Sequence, residues 1–253
     1  VFHLSAALVA RGHRVTVVTR DGGGGSPPVQ DGVKIRTVRW AKIPMAFTRS
    51  YGKYALADLI RLHSEDPVDV VHLHCPMISW NSRQFQACTS KVAPVVSSLH
   101  GSWLGERDGL LTARRQREAA VWANPNDLAI LLTAGHYARF EKAAIQGSKV
   151  CVANSRATKE DFVMRYRPPE DWDCEVVHWG VDTDMFVPID LNDVQSIEEK
   201  VSIRQKYGVD GSSNLILAVG RLAARKGYGS LLKAFAKVHA TNSNTTLVIV
   251  GRG

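Results

Sequence analysis

The amino-acid sequence predicts an α/β layered fold built on parallel sheets, and three observations carry it. Short apolar runs rich in Val, Ile and Leu alternate with helical patterns along the whole chain. Several of these runs are apolar at nearly every position, as expected of strands covered by helices on both faces. The order strand–helix–strand repeats, which places successive strands side by side and parallel. At ~150 residues per domain, 253 residues correspond to one large domain or two small ones.

The elements follow in order. Val1, Leu4 and Leu8 share one face of an opening helix, and Gly12 is a left-handed terminator. Strands are predicted over 14–20, 33–40, 69–74, 94–100, 149–155, 174–180, 214–220 and 246–251. Helices are predicted near 51–64, 79–91, 107–123, 127–147, 156–166, 193–206 and 226–240. The last of these has the clearest stripe: Tyr228, Leu231, Leu232, Phe235 and Val238. The Gly- and Pro-rich stretch 21–28 reads as a loop. The polar stretch 188–193 follows the last strand of the first sheet, which sets a domain boundary after 188. The second domain, 189–253, would then hold one strand–helix–strand unit, and such a unit cannot cover its own apolar faces. No initiator Met is present, and the strand expected before the first helix is missing. The chain therefore reads as a fragment of a longer protein.

Composition narrows the function classes. Hydrophobic residues are 45% and charged residues 22%, a globular balance that excludes a disordered or collagen-like chain. No apolar run is long enough to span a membrane. Lys plus Arg is 32 against 24 for Asp plus Glu, a net +8, which favours anionic partners without choosing among phosphates, nucleic acid and acidic lipid. Cys75, Cys88, Cys151 and Cys174 form no CxxC pair and read as reduced, buried thiols of a cytoplasmic protein.

The most informative stretch is 214–230. A buried strand ends at Gly220, a helix begins near Lys226, and Arg221, Arg225, Lys226 and Gly227 lie between. Open α/β sheets bind ligands at the carboxyl ends of their strands. A helix N-terminus there adds free N–H groups and partial positive charge, a setting suited to a diphosphate. A solvated basic turn is the alternative.

G-R-L-x-x-x-K-G after an apolar strand resembles the donor-diphosphate motif of the family 4 glycosyltransferases, which are retaining enzymes of the GT-B fold. Other segments resemble that family in the same order: the helix and strand at 3–19, D-V-V-H-L-H at 69–74, V-V-S-S-L-H-G at 95–101, 150–162, V-V-H-W-G-V-D-T-D-M-F-V-P at 176–188, and L-V-I-V-G-R-G at 247–253. The resemblance implies two Rossmann-like domains with parallel sheets, the second only partly present. Residues 1–188 would be the acceptor-side domain, and 189–253 the linker and start of the nucleotide-sugar domain. It implies transfer of a sugar from a nucleotide-diphosphate donor to an acceptor hydroxyl on a glycan, a lipid-linked molecule or a small molecule. Gly220, Arg221, Lys226 and Gly227 would bind the donor, with Arg221 and Lys226 stabilising the departing diphosphate. His100, which by itself reads as a hydrogen-bonded core histidine, would face the cleft at a strand end, and Gly101 would admit close approach of backbone to substrate.

The sequence departs from the family in three places. His178-Trp179 replaces the commoner Pro-Asn before Gly180-Val181-Asp182, the N-terminal Gly-rich loop is absent, and the acidic E-x7-E element would lie beyond residue 253. The fragment alone is therefore expected to be inactive. Asp182-Thr183-Asp184 spells D-x-D, but it lies in a turn near the linker, and no metal or other cofactor is implied. Gly22–Gly25 reads as a loop rather than a dinucleotide cradle. His72 and His74 share a strand face, where core hydrogen bonding is favoured over metal ligation. Two mixed basic–apolar stretches read first as ordinary solvated faces and leave peripheral membrane contact as the alternative: Trp40–Arg49 with Ile43, Met45 and Phe47, and Arg114, Arg115 and Arg117 with Leu110 and Leu111. The rival readings are a non-catalytic sugar-nucleotide-binding module and a basic nucleic-acid-binding α/β protein. The sequence offers the latter no aromatic–basic stacking pattern.

Overall fold

The computed structural model describes residues 1–23, 28–42, 47–74, 79–118, 124–190 and 192–252. In chain order the elements are α1 (Phe2–Ala10), β1 (Thr16–Arg20), β2 (Val29–Gln30), β3 (Val33–Val38), α2 (Phe47–Glu65), β4 (Val71–Leu73), α3 (Ser82–Lys91) and β5 (Val95–Leu99). There follow α4 (Trp103–Arg115), α5 (Pro125–Gly147), β6 (Val150–Ala153), α6 (Arg156–Tyr166), β7 (Cys174–Val176), α7 (Val194–Lys206), β8 (Asn214–Val219), α8 (Tyr228–Thr241) and β9 (Thr245–Val250). The fold is α/β with parallel sheets. Two compact units form: 1–105 with 133–178, and 106–132 with 179–253. The division after 178 falls earlier than residue 188, and the second unit also takes in 106–132.

In the first unit β4-β5-β6-β7 form a four-stranded sheet, parallel throughout. The strands β1, β3 and β2 form a second sheet, in which β1 pairs parallel with β3. One pairing departs from the all-parallel expectation. β2 runs antiparallel to β3 through a tight turn at Asp31-Gly32, with φ of 49° and 74°. Positive φ at both central residues is what a two-residue hairpin turn requires, and Asp-Gly is a favoured pair for it.

Helix ends follow their local chemistry. Gly12, at φ 89°, closes α1 and donates to the Val9 carbonyl at 2.9 Å. Asn81 and Gln84 form a reciprocal capping box on α3. Ser155 caps α6, and Asp193 caps α7 by accepting from the Ser196 N–H at 2.8 Å. The helix expected over 107–123 instead begins at Trp103 and ends at Arg115. Ser102 sets that start by accepting from the Gly105 N–H at 2.9 Å. Residues 119–123 lie outside the described residues, as do Ile43, Met45 and Cys75.

The core of the first unit gathers Trp80, Phe85, Val95, Leu99, Ile145 and Phe162 between the sheet and its helices. Cys88, Cys151 and Cys174 are buried free thiols in it. Burial pushes Cys88 and Cys151 up to about 11, so neither is a ready nucleophile. Gly52 of α2 lies against residues 79–80: the Trp80 indole N–H donates to the Gly52 carbonyl at 2.8 Å, and a Cβ at 52 would collide with the Ser79 carbonyl. Backbone cannot swing aside as a side chain can. Gly52→Ala is therefore expected to cost ~2 kcal/mol, read as a lower urea midpoint.

In the second unit β8 and β9 pair in parallel over six residues, flanked by α8. Leu215, Ile216, Leu217 and Val219 of β8 remain exposed, the last at 72%. The apolar faces are uncovered, as expected of a lone strand–helix–strand unit. A small buried cluster of Leu110, Ala113 and Ala224, backed by Ile130 and Leu131, ties 106–132 to the turn after β8.

Candidate functional site

Within the first unit, candidate side chains collect at the carboxyl ends of β4 and β5. Parallel strands end together at one edge, so residues just beyond them meet. His72 Nε2 lies 2.8 Å from Ser98 Oγ on β5, and the His72 and His74 rings meet at a tilt of 31° with centroids 4.0 Å apart. His72 thus makes the hydrogen bond expected of the pair, but from an exposed position and not from the core. Burial lowers His74 to about 4, helped by charge on His72, and desolvation followed by charge on His100 lowers His72. Burial lowers His100 as well. All three rings are thereby biased to the neutral form near pH 7, able to donate and accept a hydrogen bond. His100 itself is partly exposed, one residue beyond the fully buried Leu99. Gly101 is exposed, and a Cβ there would meet no protein atom within 4 Å.

The turn after His100 is held from beneath. Ser102, 2% exposed, donates to Asp161 Oδ2 at 2.7 Å while capping Gly105. Asp161 also accepts from Arg165 Nε at 2.6 Å. The Trp103 N–H donates to both oxygens of Glu141, each at 3.1 Å, and the Tyr166 hydroxyl donates to Glu141 Oε2. The Trp103 ring stacks on Tyr137, with centroids 4.7 Å apart. Glu141 is 3% exposed, and burial raises its carboxyl to about 7 against the pull of Tyr166 and Trp103. None of Glu141, Asp161 and Ser102 figures among the candidates drawn from the sequence. Ser102 with Gly105 three residues on is a readable cap, but Glu141 lies 38 residues from the N–H it holds, and no spacing rule reaches that far.

In the second unit Gly220, Arg221, Lys226 and Gly227 lie along one turn between β8 and α8. The Gly220 N–H donates to the Val250 carbonyl at 3.0 Å, extending the ladder. The Tyr228 hydroxyl would sit 3.0 Å from a Cβ at Gly220. Residues 224–226 form one 3₁₀ turn, so α8 begins at Tyr228, two residues beyond the expected start at Lys226. Gly227, at φ 70°, lies between the two in the left-handed region that favours glycine.

Two of the anion donors at this helix start, the N–H groups of Gly229 and Ser230, are not free, which corrects the expectation of open N–H groups. The carboxylate of Glu118 accepts from the Gly229 N–H at 2.8 Å and the Ser230 N–H at 2.9 Å, and also from the Ser230 hydroxyl. Those bonds lower the Glu118 carboxyl, the Ser230 hydroxyl first. Arg225 is likewise committed, its Nε 2.5 Å from Glu106 Oε2. Arg221 and Lys226 are exposed, and among the described residues neither takes part in an ion pair. The turn thus presents two exposed cations, while Glu118 holds the backbone at the start of α8 and Glu106 holds the Arg225 side chain.

The D-x-D element has a turn role: Asp182 Oδ1 accepts from the N–H groups of Asp184 and Met185, both at 3.1 Å. Among the described residues no group of three or more His, Cys, Asp or Glu is placed to hold a metal ion, and no helix is long and apolar enough to cross a membrane.

Residues 1–185 match the model of Glycosyltransferase Family 4, and residues 199–253 match that of glycosyl transferases group 1. The chain belongs to glycosyltransferase family 4. It is 26% identical over 255 residues to an uncharacterised glycosyltransferase of Methanocaldococcus jannaschii, covering 99% of this chain and 57% of that protein. It is 29% identical over 250 residues to a D-inositol 3-phosphate glycosyltransferase of Xylanimonas cellulosilytica, covering 92% and 53%. A crystal structure of a glycosyltransferase from Rickettsia africae superposes with a TM-score of 0.63 at 19% identity, covering 99% of this chain and 55% of that one. This likeness bears on the fold and places this family 4 chain among GT-B proteins. The chain spans about half the length of the relatives it matches.

Proposed function

We propose that the full-length protein is a retaining glycosyltransferase that moves a sugar from a nucleotide-diphosphate donor to an acceptor hydroxyl. The observation that carries this reading is the turn after β8, where exposed Arg221 and Lys226 precede a left-handed Gly227. In this reading residues 1–188 serve the acceptor and 189–253 open the donor domain. As the bond between the anomeric carbon and the diphosphate oxygen breaks, Arg221 and Lys226 offset the charge left on the diphosphate. The acceptor oxygen bonds to the same carbon on the same face, and its proton leaves with the diphosphate. His100 faces the substrates, and the open space above Gly101 admits them closely. Two cationic side chains do the charge work, so the reading needs no metal. A relative from Mycolicibacterium smegmatis, 30% identical over 99 residues, is named a GDP-mannose-dependent phosphatidylinositol monomannoside mannosyltransferase. That name supports a nucleotide-sugar donor and keeps a lipid-linked acceptor, and with it peripheral contact at the cytoplasmic membrane face, within the proposal.

The test is a screen of UDP-, GDP- and ADP-sugars against the full-length protein for thermal stabilisation and hydrolysis. NMR then assigns the anomeric configuration of the transferred sugar. One donor class is expected to stabilise the protein and be turned over with retention. Silence toward all three classes refutes the reading, and inversion refutes its retaining part. Flotation with vesicles of phosphatidylcholine, with and without phosphatidylglycerol, decides the membrane contact: binding only to the anionic vesicles supports it.

A further inference from the structure

We infer that Glu141 is a positioning residue for His100, holding the first turn of α4 so that the two-residue link His100-Gly101 has one course. The inference rests on the proposed role of His100 at the substrates.

The geometry is a span pinned at both ends. On one side Leu99 is fully buried and is paired in the sheet with Ala153 of β6. On the other, Ser102 and Trp103 are tied by side chains from α5 and α6. Ser102 bonds Asp161, itself braced by Arg165, and the Trp103 N–H bisects the Glu141 carboxylate with two equal bonds of 3.1 Å. Between the ends lie only His100 and Gly101. A chain of fixed Cα spacing has few ways to cross so short a gap, so the anchors determine where the His100 ring can stand.

Burying a carboxylate is costly, and the free N–H groups of a helix start can equally be satisfied by water. Ser102 already caps the turn. Glu141 adds a second, directional acceptor, held in place by the Tyr166 hydroxyl. Its two equal oxygens suit a donor lying between them. A Gln would have to turn its NH2 away from Trp103 to keep one acceptor on the N–H. The site is thus built for orientation more than for stability, which is how a scaffold holds a group to sub-ångström tolerance.

The experiment uses the full-length enzyme labelled at histidine Cε1, with the His100 resonance assigned by its loss in His100→Ala. Glu141→Ala is expected to lower kcat about 10-fold with the donor KM within about 2-fold, and to move the His100 resonance. Glu141→Gln should fall between, about 3-fold down in kcat with a smaller displacement of the same resonance. Adding Glu141→Ala to His100→Ala should cost no more than about 2-fold beyond His100→Ala alone, because the anchor acts through the ring. A folded Glu141→Ala with wild-type kcat and an unmoved His100 resonance overturns the inference. If the alanine variant does not fold, wild-type kcat and an unmoved resonance in Glu141→Gln overturn it equally. Full activity in His100→Ala refutes the role of His100 at the substrates, and the resonance then decides by itself whether Glu141 positions the ring.

Discussion

Arg221→Ala and Lys226→Ala, each made in the full-length protein, are expected to lower kcat/KM for sugar transfer about 100-fold. The size follows from what else the turn can offer a diphosphate. The N–H groups of Gly229 and Ser230 already hold Glu118, and Arg225 already holds Glu106. In the proposed reaction the charge on the departing diphosphate would therefore fall to the two exposed side chains. Removing one cation leaves the other, so the double variant should fall short of the product of the singles. Arg225→Ala separates this account from a general loss of basic charge. It removes the same charge five residues or fewer from either cation, but its ion pair is structural, so it should lower the melting temperature more than it lowers transfer. Steady-state kinetics and thermal melts of the three single variants read both effects. Wild-type turnover in Arg221→Ala and Lys226→Ala refutes the diphosphate role.

The layout of the fold was legible because period and composition act locally. V-V-S-S-L at 95–99 could only be a covered strand, and Gly12 ended a helix by the conformation it alone adopts readily. The strand at 33–38 was legible, but its short partner Val29–Gln30 was missed although Asp31-Gly32 announces the turn, because two residues beside the Gly- and Pro-rich loop are too few to show a period. The early start of α4 was missed because Gly105 and Gly109 argue against a helix, and the tertiary hold on Ser102 and Trp103 outweighs that local preference. The candidate site divides the same way. Gly220, Arg221, Lys226 and Gly227 lie within one short stretch, 220–227, so sequence could point to them. Glu118 on Gly229, Glu106 on Arg225 and Glu141 on Trp103 are made by folding across long stretches of chain, and each is an acid meeting a partner that no spacing rule names.

Glu141 also makes the protein less stable at alkaline pH. Its carboxyl is raised from 4.5 to about 7, so between these values the folded state holds a proton that the unfolded state has lost. The stability tied to that proton is fully present below about 4.5 and is lost as pH rises through 7, a loss of about 3 kcal/mol once the group is ionised. The groups facing it do not reverse the sign. Tyr166 is pushed upward by burial and by Glu141 itself and stays protonated, and the nearby charge on Asp161 works in the same direction as burial. Arg165 is paired with Asp161 Oδ1, and Ser102 with Oδ2. Glu141→Gln carries no charge at any pH, so it should match the wild type near pH 5. By pH 8.5 it should be more stable by up to about 3 kcal/mol, less whatever the single-acceptor geometry at Trp103 costs. Urea unfolding at the two pH values measures the difference directly. An equal gap at both would mean that Glu141 does not titrate between them. A variant sturdier yet slower than the wild type would show the carboxylate kept for the orientation of the His100 turn at the expense of stability, the trade expected of a group that serves a site.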